Sequence, residues 1–190
     1  MQPLLGPDTA VVSAVNGVPW WYFYGLEGPW RDRRLETVDP DGVQWDGIGP
    51  ERAIGCVVYP ATEVVEPGVI QHLDGNRFTL GEPSGDKTER VKALASAFIA
   101  AGLRAPVRRI RNETWVKLWG NLSFNPISML TLETLDTVTT DVGTRAIAKA
   151  MMLEAKAIGD ELGVRFPVDV EKRIDGAAAG WATLLDAVAE

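Results

Sequence analysis

Three polar residues inside one apolar stretch are the best prospect for chemistry in this chain. They lie in Trp115-Val116-Lys117-Leu118-Trp119-Gly120-Asn121-Leu122-Ser123-Phe124-Asn125-Pro126. A helix turns about 100° per residue, so positions four apart drift only about 40° around its axis. Lys117, Asn121 and Asn125 therefore line one stripe, a lysine followed by two amides, with Trp115, Leu118, Leu122 and Phe124 as apolar neighbours. An unpaired buried amide costs about 1–3 kcal/mol, so a buried stripe of this kind needs a partner, and a small polar ligand would serve. Spacing alone favours the plainer alternative, a solvent-facing stripe with Asn125 preceding a proline kink, because Lys and Asn are common on helix surfaces.

The other candidates are weaker. Asn16-Gly17 follows the run Thr9 to Val15. Ligands sit at the ends of strands in open α/β sheets, but an Asn-Gly pair more often makes only a turn. His72 is the single histidine and Cys56 the single cysteine. No Ser/His/Asp grouping, internal disulfide or zinc site is therefore expected, and no metal is assigned. Gly42, Gly47 and Gly49 lack the GxGxxG spacing of a dinucleotide site, and there is no GxxxxGK[ST] loop.

Composition narrows the class further. Hydrophobic residues make up 46% and charged residues 24% of 190, an ordinary balance for a soluble folded protein. The formal charge of −7 and the lack of a long basic cluster argue against nucleic-acid binding. Arg104 to Arg111 reads as a solvated strand or loop edge. No apolar run reaches the roughly 18 residues of a membrane helix. The first residues do not form a signal peptide, and the lone thiol fits a reducing cytoplasm.

The elements that must position these groups are legible in outline. Thr9–Val15 and Ala53–Tyr59 read as buried strands. Gly68–Leu73 and Arg77–Leu80 read as two more, joined into a hairpin by Asp74-Gly75-Asn76. The aromatic run Trp20-Trp21-Tyr22-Phe23-Tyr24 reads equally as a core plug or as the wall of a pocket. Asp86 with Glu89 predicts a capping box opening a helix that carries Val91, Leu94, Ala95, Phe98 and Ile99 and stops at Gly102. Pro106–Ile110 predicts a short strand. A helix follows from Glu113 to Leu122, ended or kinked by Pro126. A long helix spans about Thr140 to Leu162, with Ile147, Met151, Ala155, Ile158 and Leu162 on one face. A last amphipathic segment starts near Pro167 and carries Trp181, Leu184, Leu185 and Val188. The predicted fold is α/β followed by all-α, with a domain boundary at residue 110: a sheet-containing 1–110 and a helical 111–190.

Three stretches in this order and spacing resemble the ketopantoate reductase family: VVSAVNGV, GVIQHLDGNRFTLGEP (Gly68 to Pro83) and WVKLWGNLSFNPISMLT. The likeness runs from Gly6 to Trp181, and its Lys-x3-Asn-x3-Asn-Pro element is the more specific part. The resemblance implies a partial Rossmann-like sheet remnant in 1–110 and a C-terminal helical substrate domain in 111–190. It implies NADPH-dependent reduction of a small 2-keto acid, with 2-dehydropantoate reduced to pantoate in pantothenate biosynthesis, in the cytoplasm. Lys117 is then the general acid, Asn121 and Asn125 hold substrate, and Asn16 lies near both the nicotinamide and the substrate oxygen. A lysine ammonium suits that task, because negative charge builds on the carbonyl oxygen as hydride arrives.

The chain departs from the family pattern in three places. The nucleotide-binding fingerprint would precede Gly6, the family's later serine and glutamate would follow residue 190, and a further substrate-binding asparagine is replaced around Leu135. The first two departures predict a truncated product or fragment, weak or inactive alone. Leu135 and the aromatics Trp20–Tyr24 bear on which keto acid is bound. The competing expectation is a non-catalytic helical interaction or dimerisation module, or a pseudoenzyme, with a homo-oligomer as the natural partner state.

Overall fold

The computed structural model describes residues 2–178. The chain divides into two compact units between Thr114 and Trp115. The first is built on a three-stranded sheet with the order β1 (Val11–Ala14), β2 (Ala53–Val58), β5 (Phe78–Gly81). β1 runs parallel to β2, and β5 runs antiparallel to it. β2 is an unbroken apolar run because both of its faces are covered. Ile54 and Cys56 pack with Leu80, Ala105 and with Val91 and Ala95 of helix α2 (Glu89–Ala100). Ala53 and Val57 pack with Trp20, Trp21 and Ile110. Trp20 to Phe23 are all buried, so most of the aromatic run is core. A short helix α1 (Val43–Ile48) precedes β2, and its Trp45 packs edge-on to Trp20 and Tyr24.

Several expected boundaries change. The Asp74-Gly75-Asn76 turn does not make a hairpin of the strands on either side of it. β4 (Val69–Asp74) pairs instead with β3 (Ala61–Glu66), a strand not foreseen, and together they form a separate two-stranded sheet. All twelve of its residues are exposed. The reason lies in pairing: β5 satisfies its ladder against the buried β2, so β4 takes the local partner that Pro67-Gly68 turns back to it. The N-cap of α2 is Thr88 rather than Asp86, with its hydroxyl accepting from the Val91 N–H at 3.4 Å. Pro106–Ile110 is no strand. It contributes only an isolated bridge, Val107 to Leu80, before helix α3 (Ile110–Leu122) begins.

Two glycines let α3 start where it does. A Cβ on Gly55 would lie 2.5 Å from the Ile110 side chain. One on Gly81 would lie 2.3 Å from the Arg108 carbonyl oxygen and 2.8 Å from Ile110 Cβ. The obstacle at Gly81 is backbone, which yields less readily than a side-chain end. Gly81→Ala is expected to cost about 3 kcal/mol in chemical denaturation, and a loss under about 1 kcal/mol would show that the segment 108–110 relaxes freely.

The second unit is helical. α3 is followed by α4 (Phe124–Thr131), α5 (Leu135–Thr140), α6 (Val142–Glu161) and α7 (Val170–Ala178). α5 packs against α4, α6 and α7. The predicted long helix is α6; Asp141 separates it from α5, and its side chain caps α6 by accepting from the Gly143 and Thr144 N–H groups. Its inner face is Ala148, Met152, Ala155 and Gly159, which shares Ala155 with the expected stripe but takes the residue after Ile147, Met151 and Ile158. Ile147 and Ile158 are more than half exposed. Apart from Met152 the inward residues are small, and they leave room for neighbouring groups to approach. The predicted residues Trp181, Leu184, Leu185 and Val188 lie outside the described residues.

Candidate functional site

Lys117 and Asn121 stand on successive turns of α3, both half-buried. The helix around them is held from its buried side by Trp115, Val116 and Trp119. Its first turn is tied down by Arg111, which donates to the carbonyls of Tyr22 at 2.8 Å and Tyr24 at 2.6 Å. Glu113 accepts from the Tyr59 hydroxyl at 3.3 Å. Burial pushes the Tyr59 hydroxyl well above its ordinary range and Glu113 adds to the shift, while Arg77, 3.9 Å from the ring centroid, opposes it.

Asn125 does not continue the stripe on the same helix. α3 stops at Leu122, and the buried Ser123 closes it, donating from its hydroxyl to the Trp119 carbonyl at 2.5 Å. Pro126 then sits in the first turn of α4, where a missing N–H costs nothing. The proline therefore ends one helix and opens another, and Asn125 is exposed in that opening turn. Asn16 is exposed in the bend after β1, beside Gly17 at φ +81°, at the carboxyl end of a parallel strand. It belongs to the first unit, whereas Lys117, Asn121 and Asn125 belong to the second. Leu135 is half-buried at the start of α5. His72 lies on the exposed hairpin, its Nε2 against the Gly75 carbonyl.

A second polar constellation was not anticipated. Glu82, 3% exposed, accepts from Arg90 Nε at 2.7 Å and Nη2 at 2.6 Å, and from the Thr88 hydroxyl at 2.5 Å. Arg90 also donates to the carbonyls of Glu51 and Ala53. Glu51, Glu82, Thr88 and Arg90, with Tyr24, Pro50, Pro83 and Ser84, line an open cleft of about 310 Å³ in the first unit. Burial pushes the Glu82 carboxyl up, but the bonds from Arg90 and Thr88 and the charge of Arg90 outweigh it and hold it below its ordinary value. The only sequence signal was a glutamate directly after a buried strand, where an unpaired charge would be untenable. Tyr24 is the one residue of the aromatic run that reaches this cleft.

Residues 109–183 match the family described as ketopantoate reductase PanE/ApbA, C terminal, a span that contains Lys117, Asn121 and Asn125. The chain is 62% identical over 178 residues to the 2-dehydropantoate 2-reductase of Mesorhizobium japonicum, covering 93% of this chain and 55% of that protein. The chain belongs to the ketopantoate reductase family. It also superposes on a Ralstonia solanacearum protein assigned to the ketopantoate reductases, with a TM-score of 0.89, 42% identity, and coverage of 97% of this chain and 58% of that one. The 2-dehydropantoate 2-reductase of Methylococcus capsulatus follows with a TM-score of 0.71 at 27% identity, covering 99% of this chain and 56% of that one. The chain thus spans little more than half the length of these ketopantoate reductases. Its sheet region followed by a helical segment is the architecture expected from the sequence.

Proposed function

We propose that this chain carries the proton-donating and substrate-holding part of an NADPH-dependent 2-keto acid reductase, with 2-dehydropantoate as substrate and pantoate as product. The observation that carries the reading is the family match over 109–183, which includes a lysine and an amide one turn apart on a half-buried helix face. Residues 1–110 are assigned to the nucleotide side and 111–190 to the substrate side. NADPH supplies the hydride to C2 of the keto acid. Lys117 Nζ neutralises the charge growing on the C2 oxygen and gives it a proton, leaving a 2-hydroxy acid. Asn121 and Asn125 hold the carboxylate and hydroxyl with uncharged donors, which do not compete with the ammonium. Of the cofactor, the part that fits a described residue is the nicotinamide: the exposed Asn16 amide stands at the carboxyl end of a parallel strand, where ligands of open α/β sheets bind. A cytoplasmic setting and self-association belong to the same proposal. A structural relative at 18% identity, from Staphylococcus aureus, is a dimeric ketopantoate reductase.

The test is a titration of the purified chain with NADPH, read by cofactor fluorescence, followed by NADPH oxidation with a panel of 2-keto acids. Saturable binding, with oxidation dependent on 2-dehydropantoate once the cofactor is loaded, would support the reading and overturn the expectation that the chain is inactive alone. Oxidation with a different keto acid alone would transfer the specificity to that substrate. The absence of binding and of turnover would remove the reductase reading from this chain.

A further inference from the structure

The groups behind α3, away from its polar face, form a chain of contacts that begins at the end of α6. Gly163, at φ +72°, turns the backbone out of α6, and Val164 N–H closes that turn on the Gly159 carbonyl at 2.9 Å. The reversal carries Phe166 back over Gly159. A Cβ on Gly159 would lie 2.8 and 2.9 Å from the Phe166 ring and 3.6 Å from Trp115, so this glycine is the gap that admits the ring. Phe166 stacks face to face on Trp119, with centroids 4.3 Å apart and planes 7° from parallel. The Lys156 ammonium, paired with Asp160 at 2.6 Å, stands 5.7 Å from the Phe166 centroid.

Trp119 is fully buried, and its indole N–H finds no partner among the described residues. A purely aliphatic side chain would fill a core without that penalty, so an indole at this position points to the ring plane itself as the useful feature. The geometry of the helix says what the plane controls. At about 100° per residue, Trp119 lies about 200° from Lys117, and Asn121 about 40° from Lys117. Trp119 is therefore directly opposite the midline between the two polar groups. A flat stack on one side of a helix resists rotation about its axis, and rotation is the motion that would swing Lys117 and Asn121 together.

We propose that the Trp119–Phe166 stack, admitted by Gly159, is a positioning element that sets the rotation of α3 and so the aim of Lys117 and Asn121. It rests on the assignment of Lys117 as proton donor. Neither aromatic touches substrate in this proposal; both act through the helix.

The test compares Phe166→Leu, which keeps apolar bulk but loses the plane, with Phe166→Tyr, which keeps the plane. Gly159→Ala, which displaces the ring from below, is the second perturbing variant should Phe166→Leu fail to fold. In the cofactor-loaded enzyme, Phe166→Leu and Gly159→Ala are each expected to lower kcat about tenfold with the KM for NADPH unchanged, as a small misplacement of a reacting group does. Phe166→Tyr restores kcat. In NMR spectra of the chain with labelled lysine and asparagine, the Lys117 ε-methylene and Asn121 amide signals are expected to move in the first two variants and to return in Phe166→Tyr. A drop in melting temperature with kcat and both signals unchanged would reduce the stack to plain core packing and overturn the proposal. Lys117→Ala separates this idea from its premise. If that variant kept full turnover, the proton-donor reading would fail, while the NMR signals would still report whether the stack sets the helix.

Discussion

Replacing Lys117 with alanine is expected to lower kcat by about 10²–10⁴-fold in the cofactor-loaded enzyme, the usual worth of a positioned proton donor. NADPH affinity should stay the same, because the ammonium acts on the substrate oxygen. The drop should appear equally in kcat and kcat/KM, the signature of an interaction made in the transition state. Lys117→Arg sharpens the reading. Arginine keeps the positive charge but does not release its proton near neutral pH, so it should recover little. A Lys117→Arg variant with near-native turnover would show that charge alone suffices and that the proton comes from elsewhere. Lys117→Ala with near-native turnover would remove the residue from the mechanism.

The second large effect concerns stability. Arg90→Met should destabilise the chain by about 3 kcal/mol at neutral pH, since it strands the Glu82 carboxylate in a nearly dry site. Glu82→Gln should cost less, about 1–2 kcal/mol, because the Arg90 side chain left behind is 39% exposed and reaches water. The dependence on pH has a definite sign. The folded carboxyl of Glu82 sits below its ordinary value of 4.5, so the pair's contribution is present above that value and fades as pH falls through the lower folded one. Urea denaturation of both proteins at neutral pH and at about pH 3 reads this directly. The gap between wild type and Arg90→Met should narrow on the acid side. A gap of constant size would assign the stabilisation to the bonds from Arg90 to the Glu51 and Ala53 carbonyls instead of to the ion pair.

What the sequence made legible follows the range of the interactions involved. β2 was readable because an unbroken apolar run, with five consecutive buried residues from Ala53 to Val57, leaves little alternative to a strand covered on both faces. β3 was not, because Ala61-Thr62-Glu63-Val64-Val65-Glu66 buries none of its residues and so carries no alternation of burial to read. The hairpin error arose from correct turn residues and a wrong partner: pairing of β2 with β5 is long-range and is not written in the turn. α6 was recognised as a helix but rotated by one position. Large aliphatics suggested the inner face, whereas the packed face uses alanine and glycine around a single large residue, Met152.

At the candidate site, the Lys117–Asn121 spacing survived because one regular helix holds both. The step to Asn125 did not, since Ser123 and Pro126 together start a new helix. The Glu82–Arg90 pair was invisible for a different reason. Its partners lie on either side of the loop between β5 and α2, so no single helix or strand relates them.

The separate β3–β4 sheet makes the segment from Pro60 to Asn76 an excursion inside a simpler connection. β2 and β5 already meet at Val58 and Phe78, and Tyr59 N–H closes on the Arg77 carbonyl at 3.0 Å. At the base of the arm a Cβ on Gly75 would come within 3.4 Å of Pro60 Cα, so the two ends stand side by side. A short tight turn could bridge them without disturbing a single rung of the central ladder. Evolution can therefore lengthen, trim or exchange this arm without touching the core, and a protein engineer has a ready graft point for a foreign loop or tag. Insertions and deletions among relatives should gather there, and limited proteolysis should nick there first.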